Sequence, residues 1–333
     1  LINDSRAPTE RERKDLRDRL ARLDSMRGSV AKATAALADL ATKPSFTEVR
    51  VRKDFVYQVD APPGDWSDRR LPPRELRPPA AQLVSPRGAS LRLFLTGLFE
   101  AQARGRQGTH PANPRPLRAA GSGQSWVDLL ASDARPAMSG RIFMNVADKK
   151  LRQLRNTLDR LVGADLIALP NAHLRGLKRY ENFRLQNEAG TRRNGPNIKY
   201  ELPKSTDVDI FSLPVDFFTK GWIHVLEDTE ILFILMLAHY AAKTSDGGIR
   251  IDSETRLLHH GIGRDAYEAH FMLDWLNLVY VSPDPLRKAK GRIEGFTTGS
   301  QPLPHALRLL PEGFTAEAMP RVEAEIEYQL SRA

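Results

Sequence analysis

The stretch from Asn145 to Leu169 reads N-V-A-D-K-K-L-R-Q-L-R-N-T-L-D-R-L-V-G-A-D-L-I-A-L and carries two patterns in succession. Leu151, Leu154, Leu158 and Leu161 recur at steps of three, four and three, which places them on one stripe of an α-helix. Between them stand Lys149, Lys150, Arg152, Gln153, Arg155 and Asn156, all able to donate hydrogen bonds to phosphates and base edges. The helix is expected to end near Gly163, and Leu166-Ile167-Ala168-Leu169 begins a short apolar strand. A leucine-backed helix with a basic outer face therefore runs directly into a strand.

Around this stretch lies a chain of 333 residues, long enough for about two domains on the usual scale of roughly 150 residues each. Its 50 Lys+Arg against 41 Asp+Glu leave a formal net charge of +9, which favours anionic partners such as nucleic acid or an anionic membrane surface. Cysteine is absent, which excludes disulfides, thiolate metal sites and cysteine nucleophiles. The longest apolar run, Ile231 to Ala238, falls far short of the roughly 20 residues that span a bilayer. The first residues, Leu-Ile-Asn-Asp-Ser-Arg, contain no apolar signal-peptide core. The expectation is a cytoplasmic, nucleoid-associated protein with no membrane partner.

Upstream, residues 8–42 are rich in helix formers. Leu16, Leu23, Val30 and Leu37 fall seven apart, but the second heptad position is polar at Arg27 and Thr34. The helix either pairs with a second copy or lies on the rest of the protein. Val49, Val51, Phe55 and Val59 are spaced by even steps, as in a strand. Pro62, Pro63, Pro72, Pro73, Pro78, Pro79 and Pro86 then read as a linker. The expected organisation is a helical arm with a short strand (1–60), a Pro-rich linker (61–88), and two globular units (89–205 and 206–333), the second ending in a C-terminal helix.

In the first unit, Ser90 opens a largely buried helix, and 104–123 reads as a mobile Gly-, Pro- and Arg-rich loop. Its Arg104, Arg106, Arg115 and Arg118 form either that loop or an arm that tracks phosphates. Ser125 caps an expected short helix, Trp126 to Leu130, before the basic helix. After Leu169 come His173, Arg175, Lys178 and Arg179, a second strand around 180–185, and further cations at Arg192, Arg193 and Lys199.

The second unit repeats this plan. It has a very apolar helix (231–242), a small strand (248–251), a helix (253–260), a Gly261-Ile-Gly263 turn and a third helix (264–277). Two strands, 278–281 and 305–310, flank a loop holding Arg287, Lys288, Lys290 and Arg292. Leu161, three residues and Asp165-Leu-Ile correspond to Leu273, three residues and Asn277-Leu-Val. The two units read as a diverged internal repeat.

The residues Ser-Glu-Thr-Arg-Leu-Leu-His-His-Gly-Ile-Gly-Arg-Asp-Ala (253–266) and Leu-Asp-Trp-Leu-Asn-Leu-Val (273–279) resemble the winged-helix superfamily of bacterial DNA-binding proteins, and 146–169 looks similar. Two such units resemble the tandem arrangement of plasmid replication initiators and of various transcription regulators. The resemblance implies a mainly α fold with small β-hairpins (α+β), built from two tandem winged-helix domains behind an N-terminal helical arm. It implies that the third helix enters the major groove and that the wing touches nearby phosphates. On that basis Lys149, Lys150, Arg152, Gln153, Arg155 and Asn156 form the reading face, and Arg175, Lys178 and Arg179 the wing. In the second unit Arg264 and the loop cations Arg287, Lys288, Lys290 and Arg292 are the DNA-facing candidates. Asp265 and Glu268 stand on the same helix as Arg264 and oppose a phosphate lattice, so that unit binds through its loop or serves as a dimer interface.

The expected function is sequence-specific binding of double-stranded DNA, as a transcription regulator. The alternatives are a plasmid-type replication initiator acting on repeated origin sites, and a non-catalytic protein-interaction scaffold. A homodimer is among the expected partners, and no cofactor, metal or catalysis is expected. His259-His260 lacks the His-hydrophobic-His spacing of a nicking enzyme, and neither G-x-x-x-x-G-K-[ST] nor H-E-x-x-H occurs.

Overall fold

The computed structural model describes residues 7–86, 88–119, 123–133, 137–139, 142–192, 198–241, 244, 248–282, 284, 286, 294 and 303–332. The first helix, α1 (Glu10–Ala38), starts on a capping box. Thr9 Oγ1 accepts from the Glu12 amide, and the Glu12 carboxylate accepts from the Thr9 amide at 2.7 Å. Leu16, Leu23, Val30 and Leu37 are all buried against the rest of the chain. The heptad seam is thus consumed within the molecule, and α1 has no free apolar stripe to offer a second copy.

β1 (Glu48–Arg52) follows, with Val49 and Val51 pointing inward. The Pro-rich segment after it is mostly exposed over residues 61–77, whereas 78–83 pack into the fold. Its helix α2 (Pro79–Leu83) begins with proline at the first position, where the missing N–H costs nothing, and it buries Ala80, Ala81 and Leu83. Asp68 forms a 2.8 Å ion pair with Arg256 of the second unit. Prolines forbid long helices and central strands, yet they permit short turns that pack.

α3 (Ser90–Arg104) is buried on nearly every side. Arg104 and Arg115 both pair with buried Glu100, so these two arginines do not form an arm. The loop that follows is tied down by Gly108 N–H to Leu202 O (2.8 Å) and Leu202 N–H to Thr109 O (2.9 Å). Residues 126–129 form turns rather than the expected helix, with the Ser125 amide and hydroxyl held by Asp128. A small hairpin, β2 (Ala137–Ser139) with β3 (Ile142–Met144), precedes α4 (Val146–Gly163). Beyond α4, β4 (Ile167–Ala168) pairs antiparallel with β5 (Arg184–Leu185), and a 3-10 turn, Gly176–Tyr180, lies between them.

β6 (Ile210–Pro214) returns to pair antiparallel with β1, matching Val49 to Leu213 and Val51 to Phe211. Two short helices, α5 (Asp216–Thr219) and α6 (Trp222–Val225), lead to the apolar α7 (Asp228–Tyr240), whose residues Ile231 to Ala238 are all buried. Then come β7 (Ile249–Arg250), a π-helical turn Thr255–His259, α8 (Arg264–Tyr267), α9 (Ala269–Trp275), β8 (Val279–Ser282) and β9 (Ala306–Leu309). These strands form one antiparallel sheet in the order β7-β9-β8. The closing helix, α10 (Ala318–Ser331), packs along α1.

The fold is therefore α+β, helices with small antiparallel sheets. One apolar core runs from Leu23 on α1 through Phe94 on α3 and Leu158 on α4 to Phe233 on α7 and Val322 on α10. Arm and Pro-rich segment share this core with both units. Buried Arg19 on α1 seals the arrangement, its guanidinium meeting both oxygens of Glu230 at 2.6 and 2.9 Å.

Candidate nucleic-acid interface

α4 begins where Asn145 Oδ1 accepts from the Asp148 amide at 2.8 Å, a side-chain cap that fixes the helix phase. From that phase Leu151, Leu154, Thr157, Leu158 and Leu161 face the core. Arg152, Arg155 and Asn156 are exposed on the opposite side, as the leucine spacing predicts.

Lys150 and Gln153 do not belong to that outer face. Lys150 Nζ donates to Ser29 Oγ on α1 at 3.1 Å, and partial burial lowers its pKa. Gln153 Oε1 accepts from Ser132 Oγ at 2.7 Å. Both stand at the margin of the helix, where α1 and the 131–133 segment pack beside it. A long polar side chain at such a margin bonds to its neighbour instead of to solvent.

Tyr180, at the end of the 3-10 turn, ties the post-helix loop to α4. Its hydroxyl lies 2.9 and 3.0 Å from the two carboxylate oxygens of Asp159. The guanidinium carbons of Arg155 and Arg179 each sit 5.6 Å from the centre of its ring, within cation–π range. Arg155 from the helix and Arg179 from the loop thus meet at one buried aromatic residue. Arg175 and Lys178 are exposed on the same turn. The structure therefore brings Arg155 and Arg179 together at Tyr180, with Arg152 and Asn156 exposed on the adjoining side of α4. The expected second strand is reduced to Arg184–Leu185, because 176–180 winds as a 3-10 turn.

On the other flank of α4, Lys149, Arg152, Asn156 and Arg160 line an open groove of about 450 Å³ that Ser85, Gly88 and Ala89 border from the opposite side. Arg160 is absent from the sequence-based set. Its signal was available: Arg152, Asn156 and Arg160 follow one another at steps of four, one side of a helix.

In the second unit Arg264 is exposed on α8 beside exposed Asp265 and Glu268. Gly261 is left-handed (φ +67°), and a Cβ there would stand 2.8 Å from that of Ala81, so the turn before α8 is covered by α2. Arg287, Lys288, Lys290 and Arg292 lie outside the described residues, as does Arg193.

The histidine pair is structural in its contacts. His259 Nδ1 meets Gln58 O at 2.7 Å, and His260 meets Val56 O through Nδ1 and the Tyr240 hydroxyl through Nε2. Burial pushes the His260 pKa down to about 3. His270, on the inner side of α9, is likewise buried, and its pKa is lowered to about 4 by desolvation.

Among the described residues no three His, Asp or Glu are grouped so as to hold a metal ion, and no helix is long and apolar enough to cross a membrane. In comparison with known proteins, no family model, no curated protein and no solved structure matches this chain.

Proposed function

We propose that this protein binds double-stranded DNA sequence-specifically and without catalysis, as a transcription regulator acting on the cytoplasmic nucleoid. The observation that carries the reading is the Tyr180 junction. It gathers Arg155 and Arg179 beside exposed Arg152 and Asn156 on a helix whose other face is locked into the core. A major groove of about 12 Å admits one such helix. Arginine and lysine contacts to phosphates would set position, and Arg152, Arg155 and Asn156 would contact base edges.

A tandem winged-helix arrangement fits the order of elements. The second unit runs α7, β7, helical turn, α8–α9, β8, β9, with its first strand beside its last. The first unit runs α3, α4 and the β4–β5 pair. Arg175 and Lys178 would then reach phosphates from the wing. Arg264 and the 287–292 cations would serve the second unit, through its loop or at a homodimer contact.

A replication initiator acting on repeated sites is the second reading, and one observation favours it. The ends of α4 and α9 have the same backbone geometry, as two copies of one DNA-binding unit would.

The experiment is selection of genomic fragments by the wild type and by Arg152→Ala/Arg155→Ala across a salt series. Selective, salt-sensitive binding that loses its sequence preference in the variant is the expected result. Directly repeated sites bound by a monomer would favour the initiator, and one inverted repeat bound by a dimer the regulator. Equally weak binding by both proteins would remove the DNA reading and leave an interaction scaffold.

A further inference from the structure

We propose that residues 66–77 of the Pro-rich segment form an autoinhibitory strap over the helical corner of the second unit, in which the Asp68 carboxylate holds Arg256 in place of a DNA phosphate. The inference rests on the DNA-binding reading above and adds to it a closed state of the second unit.

In a helix-turn-helix the turn leads the second helix into the groove, and the first residues of that helix contact base edges. In the second unit that place belongs to Gly261-Ile262-Gly263 and the start of α8. The chain's own earlier segment lies across it. A Cβ on Gly263 would stand 2.5 Å from Leu71 Cδ2, and one on Gly261 would stand 3.1 Å from the Cβ of Arg77. The strap therefore occupies the approach to both glycines.

An ion pair closes the same corner. Ser67 and Arg70 exchange backbone hydrogen bonds at 3.1 and 2.9 Å, which makes a tight turn with Asp68 and Arg69 at its tip. From that tip both carboxylate oxygens of Asp68 accept from Arg256 Nη2, at 2.8 and 3.0 Å. Arg256 stands on the π-helical turn before the corner, with its side chain 6% exposed. Its guanidinium lies 4.8 Å from the centre of the Tyr267 ring on α8, and its Nη1 donates to Ile262 O. A carboxylate and a phosphate offer a guanidinium the same charge-assisted oxygens. The corner thus holds a fixed cation that is already occupied by an anion from this chain.

The strap keeps its shape by bonds to its own neighbourhood. Trp66 Nε1 donates to the carbonyls of Pro62 and Pro63, Arg77 Nε to that of Pro72, and Arg74 to those of Gln82 and Val84. Most of 61–77 is exposed, Leu71 itself by 37%. The flanking chain is anchored: Gln58 N–H reaches His259 O at 3.0 Å, and 78–83 pack into the fold. A segment with fixed ends and little buried area can lift without unfolding its neighbours. Lifting frees Arg256 for the phosphate whose place Asp68 takes.

The test is fluorescence anisotropy of the full chain on a labelled duplex through a KCl series, comparing wild type, Asp68→Asn, Leu71→Ala and the control Asp65→Asn, an exposed acid on the same segment. Asp68→Asn and the charge-neutral Leu71→Ala should both bind several-fold more tightly than wild type. In Asp68→Asn the slope of log K against log salt should steepen by about 0.9, for one further phosphate contact. Asp65→Asn should behave as wild type. Amide hydrogen exchange of the wild type should show peptides within 66–77 exchanging faster once the duplex is bound. Wild-type affinity and slope in both strap variants would overturn the strap and leave the DNA reading intact, with the ion pair serving stability alone. Equal tightening by Asp65→Asn and Asp68→Asn would reduce the effect to net charge and overturn it as well, as would unchanged or slower exchange of 66–77 on DNA. Absence of salt-sensitive DNA binding in all four proteins would overturn both readings.

Discussion

Asp165 and Asn277 hold the same left-handed backbone, φ 55° and 57°, at the ends of α4 and α9. The hydrogen bonds around them match one for one. Leu166 N–H reaches Leu161 O, and Leu278 N–H reaches Leu273 O, both at 2.9 Å; Asp165 N–H reaches Val162 O, and Asn277 N–H reaches Asp274 O. This is the six-to-one closure that ends a helix on a left-handed residue. The carbonyls of Leu166 and Leu278 then accept from Gln186 and Leu310, just beyond the returning strands. Asp and Asn tolerate the left-handed region better than other side chains, which explains their occurrence at both ends.

Replacing Asn277 should read out that conformation. Asn277→Val places a β-branched side chain at positive φ and should lose about 1–2 kcal/mol in urea unfolding, while Asn277→Gly should stay near wild type. Gly313 packs against the same cap, and a Cβ there would come within 2.2 Å of the Asn277 carbonyl oxygen. Gly313→Ala should therefore cost about 1–3 kcal/mol through forced backbone shifts. Equal stability of all three variants would contradict the geometry.

The Arg19–Glu230 pair is buried at both ends, with side chains 8% and 5% exposed. Arg19→Ala strands a buried carboxylate and should destabilise by about 3–5 kcal/mol, whereas Arg19→Met/Glu230→Leu should recover most of that loss. The readout is the urea midpoint of the two variants. If the single variant matched wild type, α1 would not be docked as described.

Stability should fall steeply below neutral pH. Burial holds His224 and His260 down to about 3 and His270 down to about 4, so all three remain neutral in the folded chain while the unfolded chain protonates them near 6.5. Their contribution is complete above about pH 6.5 and is lost as pH falls through that value toward the folded pKa values. Asp228 acts in the opposite sense. Burial raises it to about 6, so between about pH 4 and 6 the folded chain holds a proton that the unfolded chain lacks. Near pH 5 the unfolded state should bind a net excess of about two protons. Urea midpoints at a series of pH values measure this, and His224→Leu should reduce the excess by about one. A flat profile would contradict the burial of these rings.

Tyr180 separates positioning from contact. Tyr180→Phe keeps the ring under Arg155 and Arg179 and loses the bond to Asp159, so it should cost roughly 1 kcal/mol of stability with little change in DNA affinity. Tyr180→Leu removes the surface that holds both arginines together and should weaken DNA binding more than it weakens the fold. Anisotropy and urea unfolding on the same samples distinguish the two. Equal DNA affinity of the Leu and Phe variants would show that the junction does not position the arginines.

Local chemistry made much of the element order legible from sequence. The leucine stripe of α4, the apolar run of α7, the second-unit strands and the correspondence of Asp165-Leu-Ile with Asn277-Leu-Val all depend on residues within one or two turns of each other. Arg152, Arg155 and Asn156 follow from the same helical phase. Only the tertiary structure decided which neighbour stands opposite each face. The α1 seam suits a second helix of any origin, and it is met by this chain's own α5, α6 and α10. Prolines marked 61–88 as irregular, but burial of Ala80, Ala81 and Leu83 depends on chain far away in sequence. Lys150, Gln153, Arg104 and Arg115 read as outward-facing polar groups until Ser29, Ser132 and Glu100 are placed beside them. Helical periodicity specifies a direction from the helix axis, whereas the partner of a long polar side chain depends on contacts that the full fold alone creates.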